Sequence, residues 1–333
     1  MGPTSVDLTQ HYGGRHTGSW VMLLPVSWIP YIQLARLSPP AGLCLIYFPH
    51  LFGAILGAIT TRAATGATTR ASAVLLLGTI FLSNAAHAWN DIVDEPFDRA
   101  VARTRMRPIV RGAITRQAAL LFVLSQAIGG LTVLATCFPP RAVWYALPNI
   151  LAIGYYPMAK QHTYFAQFVL GICIAWGVFV GAVSVGHEPF VWGVFRLSAN
   201  PSDQTFTVDA GIACIFLACV LWTVIYDSVY AFQDVEDDMK LGLKSMAVLL
   251  QGHTKPAIGF LLVCMVSFLA LCGWCKGFGA AYFVLSITGP SLVLGAMCLR
   301  VDLRNPASCW WWFKHAFWAV GWSIAQGLLT QFF

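Results

Sequence analysis

Nine apolar runs, near residues 39–60, 72–89, 117–138, 142–158, 165–186, 210–231, 256–275, 278–299 and 310–331, constrain this chain more than any other feature. Each is long enough to cross a bilayer core of about 30 Å. Only 10% of the 333 residues are charged and 58% are hydrophobic, whereas roughly a quarter of a soluble domain is charged. The expected fold is therefore all-α, a polytopic membrane protein of nine transmembrane helices. The fourth run is interrupted by Pro148 and the eighth by Gly289 and Pro290, breaks that membrane helices tolerate better than soluble ones.

Connections separated by two spans emerge on one face. The amino-terminal segment and the 2–3, 4–5, 6–7 and 8–9 loops therefore share a side, which collects 14 Lys and Arg against 5 on the other, with Lys314 left inside a span. By the positive-inside rule the basic face is cytoplasmic. The net charge of +6 mostly reflects that one surface and calls for no nucleic acid. The ten cysteines lie almost wholly in apolar runs, as packing residues of a reduced compartment. Cys272 and Cys275 form a CxxC, but at the close of a membrane helix rather than in the βαβ context of a redox motif. Residues 1–28 form a polar amino-terminal segment, neither Arg-rich nor Ser-rich, which argues against a mitochondrial presequence; residues 29–333 form the membrane domain.

The chemistry gathers in Asn84 to Gly112, NAAHAWNDIVDEPFDRAVARTRMRPIVRG. At 3.6 residues per turn, Asn84, His87, Asp91, Asp94 and Asp98 fall on one stripe, and Asn90, Asp94 and Asp98 stand at i, i+4 and i+8. Carboxylates sharing a face repel unless cations sit between them, and an all-oxygen set suits Mg²⁺ better than zinc or copper. Arg99, Arg103, Arg105, Arg107 and Arg111 follow, with guanidinium forks suited to phosphate oxygens. A metal-bound polyphosphate site is the first hypothesis; a solvated loop that merely orients the protein is the plain alternative.

A second acidic face favours the site. After the sixth run, YDSVYAFQDVEDDMKLGLKS places Asp227, Tyr230, Asp234 and Asp238 at i, i+3, i+7 and i+11, trailed by Lys240 and Lys244. Lys160 arrives on the same face with Tyr156, His162, Thr163 and Gln167, either to hold a phosphate or to anchor a helix end in headgroups. Arg36 reads most simply as a snorkelling anchor. Asn84 and His87 sit at membrane depth, where polar residues usually face a cavity, and His50 is expected to bond to a neighbouring helix. The 187–208 connection reads as an ordinary exposed loop, and Trp310 to Trp312 as an interfacial belt.

NDIVDEPFD (Asn90 to Asp98) followed by RTRMRP (Arg103 to Pro108) resembles the first motif of the UbiA family of intramembrane prenyltransferases, N-D-x-x-D-x-x-x-D then R-T-x-x-R-P. YDSVYAFQDVEDDMKLGLKS is similar to the second, and YPMAKQHT, AQFVLG and QLARLSPPAG to shorter signatures of the same family. Glu95, Ser38, Gln161 and Ala166 depart from the usual basic residue, Asp, Arg and Pro. The departures bear on the acceptor end of the pocket, so 4-hydroxybenzoate is not a safe substrate, and with no presequence the chain looks like the fungal meroterpenoid branch.

The resemblance implies a helical bundle around a central cavity capped by cytoplasmic loops. It further implies Mg²⁺ held by Asn90, Asp91, Asp94, Asp98, Asp234 and Asp238, and a prenyl diphosphate held with Arg103, Arg107, Lys160 and Lys244. Asp227, Tyr230 and Arg36 complete the substrate set, with Arg36 on the acceptor carboxylate or the diphosphate. The implied reaction is transfer of a farnesyl group to a ring carbon of an orsellinic-type phenolic acid, in the endoplasmic reticulum membrane. The competing expectations are a 4-hydroxybenzoate polyprenyltransferase, a membrane terpene cyclase on the same scaffold, and a transporter.

Overall fold

The computed structural model describes residues 19–38, 40–194 and 204–333. The first 18 residues of the polar segment, with Arg15, and the Asn200-Pro201 stretch, with Arg196, lie outside the described residues. The long helices are α1 (Ala41–Thr61), α2 (Thr65–Asp98), α3 (Arg116–Cys137), α4 (Arg141–Ala159), α5 (Ala166–Ser184), α6 (Ala210–Ala231), α7 (Thr254–Lys276), α8 (Ala280–Arg300) and α9 (Pro306–Leu329). Among the described residues, seven of these are long and apolar enough to cross a membrane; α4 and α9 are not in that group.

Helix α2 positions the site. Its 34 residues, at about 1.5 Å each, extend some 50 Å, well beyond a hydrocarbon core of about 30 Å. The apolar run near 72–89 thus continues as helix to Asp98, and its last turns carry the acidic stripe to the membrane boundary. The core lies between α1, α5, α6 and α9, where Phe48, Phe52, Trp222 and Phe317 are buried together. By contrast α3 faces outward along most of its length, as an apolar helix can when its solvent is lipid.

Helices α1 and α5 approach closely because both carry glycines four residues apart, Gly53 and Gly57 against Gly177 and Gly181. A Cβ on Gly53 would collide with the Val178 carbonyl, and one on Gly181 with the His50 carbonyl. The same packing seats His50, whose Nδ1 donates to the Ile46 carbonyl at 2.9 Å; it bonds within its own helix rather than to a neighbour. In α8 the break at Gly289-Pro290 is absorbed by a wide turn, Val284–Thr288, since Pro290 has no N–H to donate. The Leu285 carbonyl accepts from Ser323 Oγ of α9 instead, at 2.7 Å.

The fold is not wholly helical. The connection expected to be an ordinary loop contains an antiparallel hairpin, β1 (Phe190–Val194) paired with β2 (Gln204–Val208), Phe190 opposite Val208. Its residues are mostly β-branched and aromatic, and the Phe190 ring stacks on Tyr145 of α4 at 5.9 Å. Asp209 then caps α6, accepting from Ile212 N at 3.0 Å, and takes Lys276 Nζ of α7 at 2.7 Å. Replacing Gly181 with Val should lower the stability of the detergent-purified protein by about 1–3 kcal/mol through overpacking, seen as a fall in Tm. Gly295→Ala, at a position with open space around it, should leave Tm unchanged or slightly raised.

Candidate active site

The acidic stripes of α2 and α6 meet across a cavity of about 260 Å³. Twelve of the thirteen residues expected at the site line it: Arg36, Asn90, Asp94, Asp98, Arg103, Arg107, Lys160, Asp227, Tyr230, Asp234, Asp238 and Lys244. The thirteenth, Asp91, stands behind this wall, where Oδ1 accepts from Arg36 Nη2 at 2.9 Å and contacts Arg107 Nη1 at 3.0 Å. Its place is one layer outside the expected ligand set, because the i, i+4, i+8 row of Asn90, Asp94 and Asp98 takes the inner face.

Three of the carboxylates on the cavity wall, Asp94, Asp98 and Asp234, meet a cation from another segment of the chain. Asp94 Oδ2 accepts from Asn90 Nδ2 at 3.0 Å and pairs with Lys160 Nζ, at the end of α4, at 2.7 Å. Asp98 pairs with Arg107 Nη1 at 2.7 Å. Across the cavity the Arg103 fork grips Asp234, Nε at 2.9 Å from Oδ1 and 3.0 Å from Oδ2, while its Nη1 donates to Tyr230 Oη at 3.0 Å. Lys244 is drawn in by its backbone, whose N–H donates to the Lys160 carbonyl at 2.7 Å.

The other arginines of the first cluster do different work. Arg111 ties the loop to the entry segment through Gln33 Oε1 at 2.5 Å. Arg99 and Arg116 both pair with Glu95, at 2.6 and 2.9 Å. Glu95 therefore clamps the 99–115 loop, and neither it nor Ser38 nor Gln161 lines the cavity; Ala166 does. His162 bonds to Tyr155 Oη at 2.6 Å and Thr163 also lies off the cavity, whereas Tyr156 and Gln167 line it. Phe313 belongs to the site although its neighbours read as an interfacial belt: its ring lies 4.6 Å from that of Tyr230. The period-3 step from Trp310, itself 6.2 Å from Tyr230, was the available signal.

Electrostatically the site is tense. Burial, reinforced by Asp234, pushes the Asp238 carboxyl up to about 6. Burial alone would lower Arg107, but Asp91 and Asp98 outweigh it and hold the guanidinium above its ordinary value. Asp94 Oδ1 is buried with no hydrogen-bond partner among the described residues. An all-oxygen donor set, an orphaned carboxylate oxygen and a carboxyl whose charged form is disfavoured by burial fit a hard divalent cation. Among the described residues, however, no three His, Cys, Asp or Glu side chains converge on one point, since Lys160, Arg103 and Arg107 hold the carboxylates apart.

A second, apolar cavity of about 290 Å³ lies between α2, α3 and α4 and shares Leu82, Ala86 and Ile153 with the first. Its walls include Leu75, Val123, Leu131 and Leu134.

Residues 46–321 match the UbiA prenyltransferase family. The chain is 32% identical to the prenyltransferase ascA of Acremonium egyptiacum, over 82% of this chain and 77% of the relative. It is 31% identical to the prenyltransferase stbC of Stachybotrys bisbyi, over 91% and 87%. The mitochondrial 4-hydroxybenzoate polyprenyltransferase of Saccharomyces cerevisiae is 30% identical over 89% of this chain and 75% of the relative. Among solved structures, a UbiA homolog from Aeropyrum pernix K1 superposes with a TM-score of 0.67 at 21% identity, covering 86% of this chain and 97% of that one. The UbiA homolog from Archaeoglobus fulgidus bound to GPP and Mg²⁺ gives 0.55 at 16% identity, covering 87% and 99%. The chain therefore belongs to the UbiA prenyltransferase family and is an integral membrane prenyltransferase.

Proposed function

We propose that this enzyme transfers a farnesyl group from its diphosphate to a ring carbon of a phenolic acid of the orsellinic type, as a step in meroterpenoid assembly. The observation that carries this is the pairing of a charged cavity with an apolar one through a common wall. A prenyl diphosphate has the same division, a strongly anionic head on a hydrocarbon tail. The apolar cavity matches a tail of a few isoprene units, and its volume is at the small end of ligand pockets. The relatives ascA and stbC support the aromatic meroterpenoid branch.

In this reading α4 and α9 also cross the bilayer, giving nine spans. The site faces the cytoplasm, and the membrane is that of the endoplasmic reticulum. Asn90, Asp94, Asp98, Asp234 and Asp238 hold Mg²⁺, with Asp91 fixing Arg36 and Arg107 behind them. Bound there, Mg²⁺ neutralises diphosphate oxygens and makes the diphosphate a better leaving group. Arg103, Arg107, Lys160 and Lys244 turn from their present partners to phosphate oxygens as the anion enters. The Tyr230 and Phe313 rings offer π-faces to the allylic cation, and the apolar walls keep water from quenching it. A ring carbon ortho to the hydroxyl attacks C1 of the prenyl group.

The 4-hydroxybenzoate relatives in Saccharomyces cerevisiae and Pseudomonas aeruginosa, of similar identity, favour a second reading in which the acceptor is 4-hydroxybenzoate and the donor a long polyprenyl diphosphate. Membranes carrying the chain, supplied with Mg²⁺, should convert farnesyl diphosphate and an orsellinic-type acid to a product heavier by one farnesyl unit, as read by mass spectrometry. EDTA should abolish that product. An adduct formed only from 4-hydroxybenzoate and longer donors would establish the second reading, and diphosphate release without any phenol would mark a cyclase.

Asp94→Asn and Asp234→Asn should each lower kcat/KM by about 10²–10³-fold, the scale of removing one charge-stabilising group, while the protein still inserts into membranes and purifies. Near-normal turnover by either variant would remove that residue from the metal and diphosphate site.

A further inference from the structure

One polar group on the cavity wall takes no part in the chemistry described so far. His87 lies one turn below Asn90 on α2, at membrane depth, and is partly exposed to the cavity. Its Nδ1 donates to the Ser83 carbonyl, one turn back, at 2.8 Å and has Ser83 Oγ within reach at 3.2 Å. In the neutral ring that bond fixes the tautomer, so Nε2 keeps its lone pair. Among the described residues Nε2 has no hydrogen-bond partner. The Cε1–Nε2 edge faces Gly42 of α1, also on the cavity wall, where a Cβ would come within 2.5 Å of Cε1 and 2.6 Å of Nε2. The ring edge packs against the bare backbone of Gly42, where any side chain would collide with it. Arg36 lines the same cavity.

The chemistry of the substrates decides what this lone pair can hold. An isoprenoid tail has no polar hydrogen to donate, and an ionised diphosphate offers only acceptor oxygens. The aromatic acceptor is the one substrate that brings an O–H. We propose that His87 Nε2 binds and deprotonates the phenolic hydroxyl of the acceptor while Arg36 takes its carboxylate, so that the site selects an aromatic acid with hydroxyl and carboxylate on adjacent carbons. This rests on the aromatic-transfer function proposed above.

The step balances as follows. The phenolic proton passes to Nε2 as the ring carbon ortho to the oxygen forms its bond to C1 of the prenyl group. The C–O bond to the diphosphate breaks, and its electron pair leaves with the diphosphate. The resulting dienone loses the hydrogen on its new tetrahedral carbon to a diphosphate oxygen. The imidazolium returns its proton to the ring oxygen, which restores both the phenol and neutral His87.

The test compares the phenolic acid with its O-methyl ether, using the purified full-length protein with Mg²⁺ and a prenyl diphosphate that the wild type accepts. The wild type should prefer the phenol by about 10²-fold or more in kcat/KM, the scale of general-base catalysis. His87→Leu should lose about 10²-fold on the phenol and little on the ether, so that the preference collapses toward unity while KM for the donor is unchanged. His87→Gln retains an acceptor atom and should keep KM for the acceptor near the wild-type value while kcat falls.

Retention of the preference in His87→Leu, or an equal loss on phenol and ether, would overturn the proposal, the latter by showing a merely structural role. Should His87→Leu fail to fold, His87→Gln decides: a kcat within a few-fold of wild type overturns the proposal, and a lowered kcat at unchanged acceptor KM upholds it. An adduct formed by the wild type, with both variants unaltered, overturns this inference alone. No adduct with any phenol overturns the function reading and the inference together.

Discussion

A carboxylate taken out of water must be paired, and the cap of this enzyme is assembled by that requirement. Three aspartates, Asp91, Asp94 and Asp98, project from the last turns of α2, and each is met by a cation from elsewhere in the chain. Arg36 arrives from the entry segment, Arg107 from the 99–115 loop and Lys160 from the end of α4. The fourth contact of this kind reverses the arrangement, with Arg103 of the loop reaching across to Asp234 beyond α6. Segments distant in sequence are thereby drawn to one place before any substrate arrives. Losing one partner would leave a buried charge uncompensated, which is far more costly than losing an exposed ion pair.

The same pairs suit the substrate that the family handles. A diphosphate brought in with divalent cations adds both signs of charge at once. In the proposed function the carboxylates would gain metal as the lysines and arginines gained phosphate, so that local neutrality would be kept through the exchange. Two features show where the ligand-free balance is poorest. Asp94 keeps one oxygen without a partner among the described residues, and burial with Asp234 nearby pushes Asp238 up to about 6. Both lie where the acidic stripes of α2 and α6 face each other.

Much of this was legible in the sequence because helical periodicity turns spacing into position. The i, i+4, i+8 row of Asn90, Asp94 and Asp98 lines the cavity as one helix face; Asp227, Tyr230, Asp234 and Asp238 line it too, but not as the single helix face expected, since α6 ends at Ala231 and a separate short helix, Val235–Lys240, carries Asp238. What spacing does not give is depth behind a face. Asp91, one residue from Asn90, belongs to the same polar stripe yet sits outside the wall, and which of five arginines enter the cavity depends on how the loop folds back. The loop does so because Glu95 holds Arg99 and Arg116, a pairing that no periodicity announces. The hairpin was missed because FVWGV and QTFTV sit in a connection between apolar runs, with no alternating pattern long enough to stand out. Phe313 was hidden by its own surroundings, since an aromatic run at a membrane boundary reads first as a belt.

The length of α2 explains why the chemistry sits where it does. A helix confined to the hydrocarbon core would leave the carboxylates either in lipid, where their desolvation is prohibitive, or on a flexible loop, where they could not be held in register. At 34 residues the helix carries Asp91 to Asp98 to the boundary on rigid backbone, while Leu82 and Ala86 of the same helix wall the apolar cavity below. One continuous element thus spans both environments that an amphiphilic prenyl diphosphate requires, and fixes the distance between them. His87 lines the charged cavity one turn below Asn90, next to Ala86, which both cavities share.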